Sequence, residues 1–169
     1  IERIRYTTSH PKEFTNRLIE AYRKIPILAN HVHLPVQAGS DRVLAGMKRG
    51  YTILEYKSII RKLRAIRPDI SIATDFIVGF PNETEEDFEE SCKIVEQSGF
   101  CKVHVFKYSK REGTKAAGMK GHIAPEVKAR RSEKLIRLSE EAAKGFFSKN
   151  IGTTRKVLFE QYDEKTGLM

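Results

Sequence analysis

Cysteine is scarce in this sequence, and that scarcity excludes whole classes of chemistry. Of 169 residues only Cys92 and Cys101 are cysteines, and their separation fits none of the usual zinc, iron–sulfur or CxxC spacings. The chain by itself therefore cannot ligate a cluster, and a disulfide-stapled miniprotein is excluded. Long hydrophobic runs are missing too. No apolar stretch approaches the roughly 18 residues needed to cross a bilayer, and no signal-peptide pattern opens the chain. Neither common glycine-rich phosphate loop is present, and no Ser–His–Asp order stands out. Internal repeats and low-complexity segments are absent. What remains is 40% hydrophobic and 9% aromatic, long enough to bury a sizeable core as one domain, or as one domain with a piece of another. The first residue is Ile1 rather than Met, and we expect the chain to start inside a larger protein.

Charge is plentiful and unevenly placed. There are 31 basic and 22 acidic residues, a formal net charge of +9. Residues 69–97 carry nine acidic and one basic residue, whereas residues 102–137 carry eleven basic and three acidic ones. A basic block of this kind suits a polyanion such as RNA; the plainer reading is a solvated lysine-rich face. Lys107, Lys110, Arg111, Lys115 and Lys120 sit in and around a glycine-containing loop and are candidate RNA contacts. Lys128, Arg130, Arg131, Lys134 and Arg137 are assigned to the solvated face of the helix that follows.

Apolar runs alternate with helical patterns along the chain. IERIRYTT (1–8) alternates like a strand and ends before His10-Pro11. Phe14, Leu18, Tyr22 and Ile25 recur at helical spacing. HVHLPVQ (31–37) reads as a second strand, with Pro35 near its end or at an edge. Thr52 and Glu55 form a capping box for a helix that turns Tyr56, Ile59, Ile60, Leu63 and Ile66 inward, and Pro68 helps to stop it. ISIATDFIVGF (70–80) is a β-branched run of the sort buried on both faces of a parallel sheet. Thr84 caps a helix with Glu85, Glu86 and Asp87 in its first turn, and Gly99 closes it. KVHVFKYS (102–109) is a fourth strand. Residues 125–149 form a long helix, Pro125 at its start and Leu135, Leu138, Ala142 and Phe146 inward. RKVLFEQY (155–162) reads as a fifth strand after the Gly152 turn. Four β-α units in series make the fold class α/β, with a parallel sheet and right-handed crossovers.

Ligand sites in such folds lie beyond the C-terminal strand ends, here Thr7-Thr8, Gln37–Ser40, Gly79–Glu83 and Tyr108–Thr114. Gly39 permits close approach of a ligand. Ser40 either contributes to a site or caps the helix that starts near Asp41. Gly79 ends a strand, where an adenine could stack against exposed backbone and Phe80, although a glycine there also relieves crowding. Asp75 lies among apolar neighbours within a strand, which requires a site or a buried pair. The acidic run 83–90 reads as a favourable helix start. His31 and His33 share one strand face without a third metal ligand nearby, so we assign them a structural or supporting role; His104 has no clear partner.

HLPVQAGSDRVLAGMKRGYT (33–52), IATDFIVGFPNETEEDF (72–88) and VFKYSKREGTKAA (105–117) together resemble the signatures of the radical S-adenosylmethionine methylthiotransferases, in order and spacing. Departures are small: Ala38 where Ser is usual, Lys48 where Asn is common, Asn82 where Gly is common. The resemblance implies an incomplete parallel (β/α) barrel, the last four strands of a six-stranded open TIM-like radical barrel, over residues 1–151. Residues 152–169 would begin a small TRAM-like β domain that binds RNA. It implies S-adenosylmethionine as cofactor, with Gln37, Ser40, Asp75, Gly79 and Phe80 lining or supporting its pocket. Two [4Fe–4S] clusters would belong to the full-length parent and none to this chain, which alone would be inactive, with no metal site of its own. The cofactor cleaved at one cluster would yield a 5′-deoxyadenosyl radical, and the auxiliary cluster would supply sulfur. The partner would be tRNA, in the cytoplasm. Within the family, residues 103–114 look most like the subgroup that modifies N6-threonylcarbamoyladenosine in tRNA; the alternatives are N6-isopentenyladenosine in tRNA, a ribosomal-protein aspartate or, in another class, a non-catalytic RNA-binding module. An incomplete barrel would leave residues 1–8 as an open edge, through which the isolated chain would dimerise.

Overall fold

A computed structural model describes residues 1–7, 9–155 and 162–167. Three parallel strands form its sheet: β1 (His31–His33), β2 (Ser71–Val78) and β3 (Lys102–Lys107), in the order β1-β2-β3. The register sets His33 opposite Ala73, and Asp75 opposite His104. The β-branched run 70–80 supplies the central strand. Its alternation sends Ile72, Thr74, Phe76 and Val78 into the helix layer, all of them buried, while Ser71, Asp75 and Ile77 stay half-exposed on the other face. Burial on both faces, expected for this run, is thus found on one, because the described helices cover only that side.

The strand expected at residues 1–8 shrinks to one parallel bridge, Ile4 to Leu28. The Ile4 amide donates to the Ile27 carbonyl (2.8 Å), the Ala29 amide to the Ile4 carbonyl (2.8 Å), and the Ser9 amide to the His33 carbonyl (3.1 Å). The segment still runs beside β1, but a three-residue neighbour offers too short a ladder to pair with. Thr8 lies outside the described residues. The second expected strand, 31–37, is also cut short, because Pro35 has no N–H to give the ladder. Side chains take over there: the Val36 amide donates to Thr74 Oγ1 (3.1 Å), while the Tyr56 and Thr74 hydroxyls donate to the Leu34 carbonyl (2.8 and 2.9 Å). Pairing resumes at Gln37, whose amide donates to the Asp75 carbonyl (2.9 Å) and whose carbonyl accepts from the Ile77 amide (2.9 Å).

Five helices pack on the covered face and around it: α1 (Asn16–Lys24), α2 (Asp41–Gly46), α3 (Ile53–Ile66), α4 (Glu85–Ser98) and α5 (Pro125–Ser148). Capping boxes open α3, through Thr52 and Glu55, and α4, through Thr84 and Asp87. Gly99 ends α4 with φ 54°, a left-handed turn that glycine adopts without strain. Tyr22, Tyr56, Leu63, Ile72, Phe76, Phe88, Phe100 and Leu135 are fully buried and form the core. Leu138 and Ala142 of α5 pack against it at its border. The fifth strand expected at 155–162 falls largely on residues 156–161, outside the described residues. No helix among the described residues is long and apolar enough to cross a membrane.

Candidate functional site on the open face of the sheet

The open face of the sheet carries the polar side chains His31, His33, Ser71, Asp75 and His104 among apolar Ala73 and Ile77. His33 Nε2 lies 2.9 Å from Asp75 Oδ1, and the His104 ring meets the His33 ring edge-on at 6.1 Å. This makes a row of imidazole, carboxylate and imidazole across three strands. The expectation that Asp75 is paired holds, and its partner is His33. Among the described residues no hydrogen bond reaches the second oxygen of Asp75. His31 contacts Ser71 Oγ (3.0 Å) and Arg5 Nη2 (3.3 Å). Burial, then the Arg5 charge, then His33 hold its pKa below the ordinary histidine value. A cavity of about 480 Å³ opens here, lined by Arg5, Thr7, His31, His33, Lys102 and His104 among others. A larger one, about 730 Å³, lies between α2, α3 and α4 in the helix layer. It holds none of the open-face histidines but is lined by Ser40, whereas none of the five residues expected at a cofactor pocket lines the smaller cavity.

The five residues expected to line or support a cofactor pocket divide into two groups. Gln37 stands past β1 with φ 75°, its backbone paired between Asp75 and Ile77. Asp75 is half-exposed on the open face, and Gly79 ends β2. Ser40 and Phe80 lie behind them, 3% and 6% exposed. Ser40 occupies the N-cap position of α2 without capping it; its hydroxyl instead donates to Asp87 Oδ1 (2.6 Å). The Phe80 ring meets Tyr108 edge-on at 5.4 Å and is buried. Gly39 likewise serves packing. A Cβ there would collide with the backbone of α4 at Ser91, and its amide donates to Ser91 Oγ (2.8 Å).

One buried ion pair, Arg131–Glu83, and one between exposed Arg42 and buried Asp87 lie behind the strand ends and escape a reading by charge runs. Arg131, assigned to a solvated face, is buried: its Nη1 donates to Glu83 Oε2 at 2.7 Å, with side chains 5% and 1% exposed. It belongs to α5, which packs on α4. Glu83 also accepts from the Gly79 amide (2.6 Å). Burial pushes the Glu83 carboxyl above its ordinary value, while the Gly79 amide and Arg131 pull the other way. Asp87 accepts from Ser40, Arg42 and Thr84. Burial raises its pKa, but those bonds outweigh burial and bring it to about 2. The acidic run 83–90 is thus more than a helix start. The only sequence signal was its opposite sign to the basic stretch of α5. Lys134 pairs with Glu89, and Arg130 with Glu85.

Lys107, Lys110, Arg111, Lys115 and Lys120 are all exposed, and none forms an ion pair among the described residues. Their loop is tied to the C-terminal end of the sheet. The Asn82 amide donates to the Gly121 carbonyl (2.8 Å), and Tyr108 bridges Phe80 to His122, whose ring stacks on it at 6.0 Å. The Tyr108 hydroxyl is buried without a hydrogen-bond partner, an unsatisfied group at a strand end of the kind a polar ligand satisfies. With the open oxygen of Asp75 and the side-chain amide of Gln37, whose backbone N–H is already spent on the Asp75 carbonyl, these donors and acceptors have the chemistry to fit a cofactor bearing ammonium and hydroxyl groups. Thiolate ligands are another matter. Cys92 and Cys101 are buried and free, and burial pushes the Cys92 thiol up to about 11. The described residues gather no group of three or more His, Cys, Asp or Glu able to hold a metal ion.

Residues 1–95 match the family described as the Radical SAM superfamily. Curated relatives align over nearly the whole chain. A tRNA-2-methylthio-N(6)-dimethylallyladenosine synthase of Nitrosospira multiformis is 58% identical over 98% of this chain and 35% of its own length. Proteins of the same name from Leptothrix cholodnii and Paraburkholderia phymatum are 56% and 55% identical, each over 95% of this chain. The chain spans about a third of the length of these relatives. Their names overturn the expected threonylcarbamoyladenosine subgroup, because at this identity they carry dimethylallyladenosine instead. The loop at 103–114 was too short a stretch to separate subgroups that share a barrel.

Proposed function

Because the chain belongs to the Radical SAM superfamily, we propose that it forms part of the radical domain of a tRNA methylthiotransferase that acts on N6-dimethylallyladenosine, the isopentenyl-type substrate. The observation that carries this reading is the match in sequence to three synthases so named, joined to a polar open face at the strand ends. In this reading residues 1–151 are the last part of an open barrel, residues 152–169 begin a TRAM-like β domain, and the full-length protein works on tRNA in the cytoplasm.

S-adenosylmethionine with [4Fe–4S] clusters held elsewhere in the full-length protein would supply radical activation, sulfur and methyl transfer. This chain's residues bind and orient. Asp75, fixed by His33, would accept from the ammonium or a ribose hydroxyl of S-adenosylmethionine, and the side-chain amide of Gln37 would hold the neighbouring edge. Gly79 leaves the end of β2 without a side chain. Ser40 and Phe80 support these from behind, through Asp87 and Tyr108. Lys107, Lys110, Arg111, Lys115 and Lys120 would meet tRNA phosphates on the loop that Asn82 and Tyr108 tie to the same end.

The test is a nucleoside analysis of tRNA from a strain lacking the gene. Loss of the methylthio group from dimethylallyladenosine, restored by the full-length gene, is the expected result. Unchanged methylthiolation of that nucleoside would refute the proposal.

A further inference from the structure

The structure assigns Arg131 of α5 as a positioning residue for the Gly79 strand end, acting through Glu83. Four contacts converge there. Arg131 Nη1 donates to both the Glu83 carboxylate (2.7 Å) and the Glu83 carbonyl (3.2 Å), while its Nη2 reaches Glu85 (3.0 Å). The same oxygen, Glu83 Oε2, accepts from the Gly79 amide (2.6 Å). Gly79 adopts φ 76°, and a Cβ at that position would collide with the Lys128 stem. Lys128 Nζ in turn donates to the Tyr108 carbonyl (3.2 Å).

One helix, α5, which begins at Pro125, thereby ties the ends of both β2 and β3. A buried guanidinium and carboxylate are costly to bring out of water; the Nη atoms of Arg131 are bonded to Glu83 and Glu85, while its Nε is buried without a partner among the described residues. The Arg131 guanidinium also lies over the Phe88 ring at 5.4 Å, which anchors it to α4. Removing Arg131 would leave Glu83 charged and buried, and the carboxylate would turn toward water, releasing the Gly79 amide. Cofactor affinity would then fall through loss of order at β2's end, with no contact between Arg131 and the cofactor.

This inference rests on the proposal that S-adenosylmethionine binds at these strand ends. The test uses the full-length protein with its clusters reconstituted. S-adenosylmethionine binding is measured by calorimetry well below each variant's unfolding temperature, and amide exchange is followed over residues 77–84. Arg131→Met should raise the dissociation constant about 3- to 30-fold and speed exchange at Gly79. Arg137→Met, an exposed change on the same helix, should alter neither. Should Arg131→Met fail to fold, Arg131→Lys keeps the charge but not the forked contacts, and should show the same two changes in smaller measure. Unchanged affinity with only a lowered unfolding temperature would overturn the inference and leave the cofactor proposal standing. Failure of the wild-type protein to bind S-adenosylmethionine would overturn both.

Discussion

Thr74→Val tests how the sheet survives Pro35. Valine matches threonine in shape, so the substitution removes one hydroxyl and leaves packing nearly unchanged. That hydroxyl accepts from the Val36 amide (3.1 Å) and donates to the Leu34 carbonyl (2.9 Å). The Leu34 carbonyl keeps a second donor in Tyr56 (2.8 Å), so its loss is partial. The Val36 amide has no substitute, since Pro35 puts the chain out of step with β2 at this point. An unsatisfied buried N–H costs about 1–3 kcal/mol and the lost hydroxyl bond about 1 more, for a total of roughly 2–4 kcal/mol. In a chain of this size that lowers the unfolding midpoint by roughly 4–16 °C.

Urea unfolding at constant slope is the assay, since a shift in midpoint alone then reports stability. Thr74→Ser keeps the hydroxyl and loses a methyl, for about 0.8 kcal/mol, so it should fall well short of Thr74→Val. A Thr74→Val cost below about 0.5 kcal/mol would refute the reasoning. So would equal costs for the two variants, which would put the effect in the methyl group.

Other expectations follow from the site. Asp87, with a folded pKa of about 2 against 3.8 unperturbed, stabilises the fold above the unfolded value and loses that contribution as pH falls through the folded one. Asp87→Asn should therefore flatten the loss of stability between about pH 4 and 2, as followed by circular dichroism; an unchanged acid profile would remove Asp87 from the account. Asp75→Ala in the full-length protein should weaken S-adenosylmethionine binding about 10-fold or more, as loss of a bond to a charged group implies, and Asp75→Asn should lose less because it can still bond His33. Equal binding by wild type and Asp75→Ala would return Asp75 to a structural role. Lys110→Ala combined with Arg111→Ala should weaken tRNA binding across sequences and reduce the salt slope by about 2. A filter-binding titration with an unchanged slope would place the RNA elsewhere.

Much of the fold was legible because its signals are local. The Thr52–Glu55 box, Thr84 as cap, Pro125 at a first turn and Gly99 as terminator each depend on residues within one turn, and all four stand where the spacing put them. Strand length was less legible. Residues 1–8 alternate like a strand, yet a strand exists only as long as its neighbour, and β1 stops after three residues because Pro35 cannot donate. The run at 70–80 carried no mark of which face would be covered, since that depends on where helices distant in the chain come to rest.

The site shows the same division more sharply. Asp75 could be singled out because a carboxylate among apolar neighbours demands a partner, although the partner, His33, lies 42 residues away and carries no such mark. Arg131 could not be found this way. It stands in a run of cations whose other members, Arg130 and Lys134, are partly or fully exposed, and nothing local distinguishes it from them. What buries it is the approach of α5 to α4, which brings Glu83 and the Phe88 ring to one point. A charge with its partner in a distant element looks solvated until the packing is known. For that reason Arg131, buried against Glu83 at the C-terminal end of β2, lay in the stretch the sequence marked as surface, and Ser40, expected at a site or as a cap, donates to Asp87.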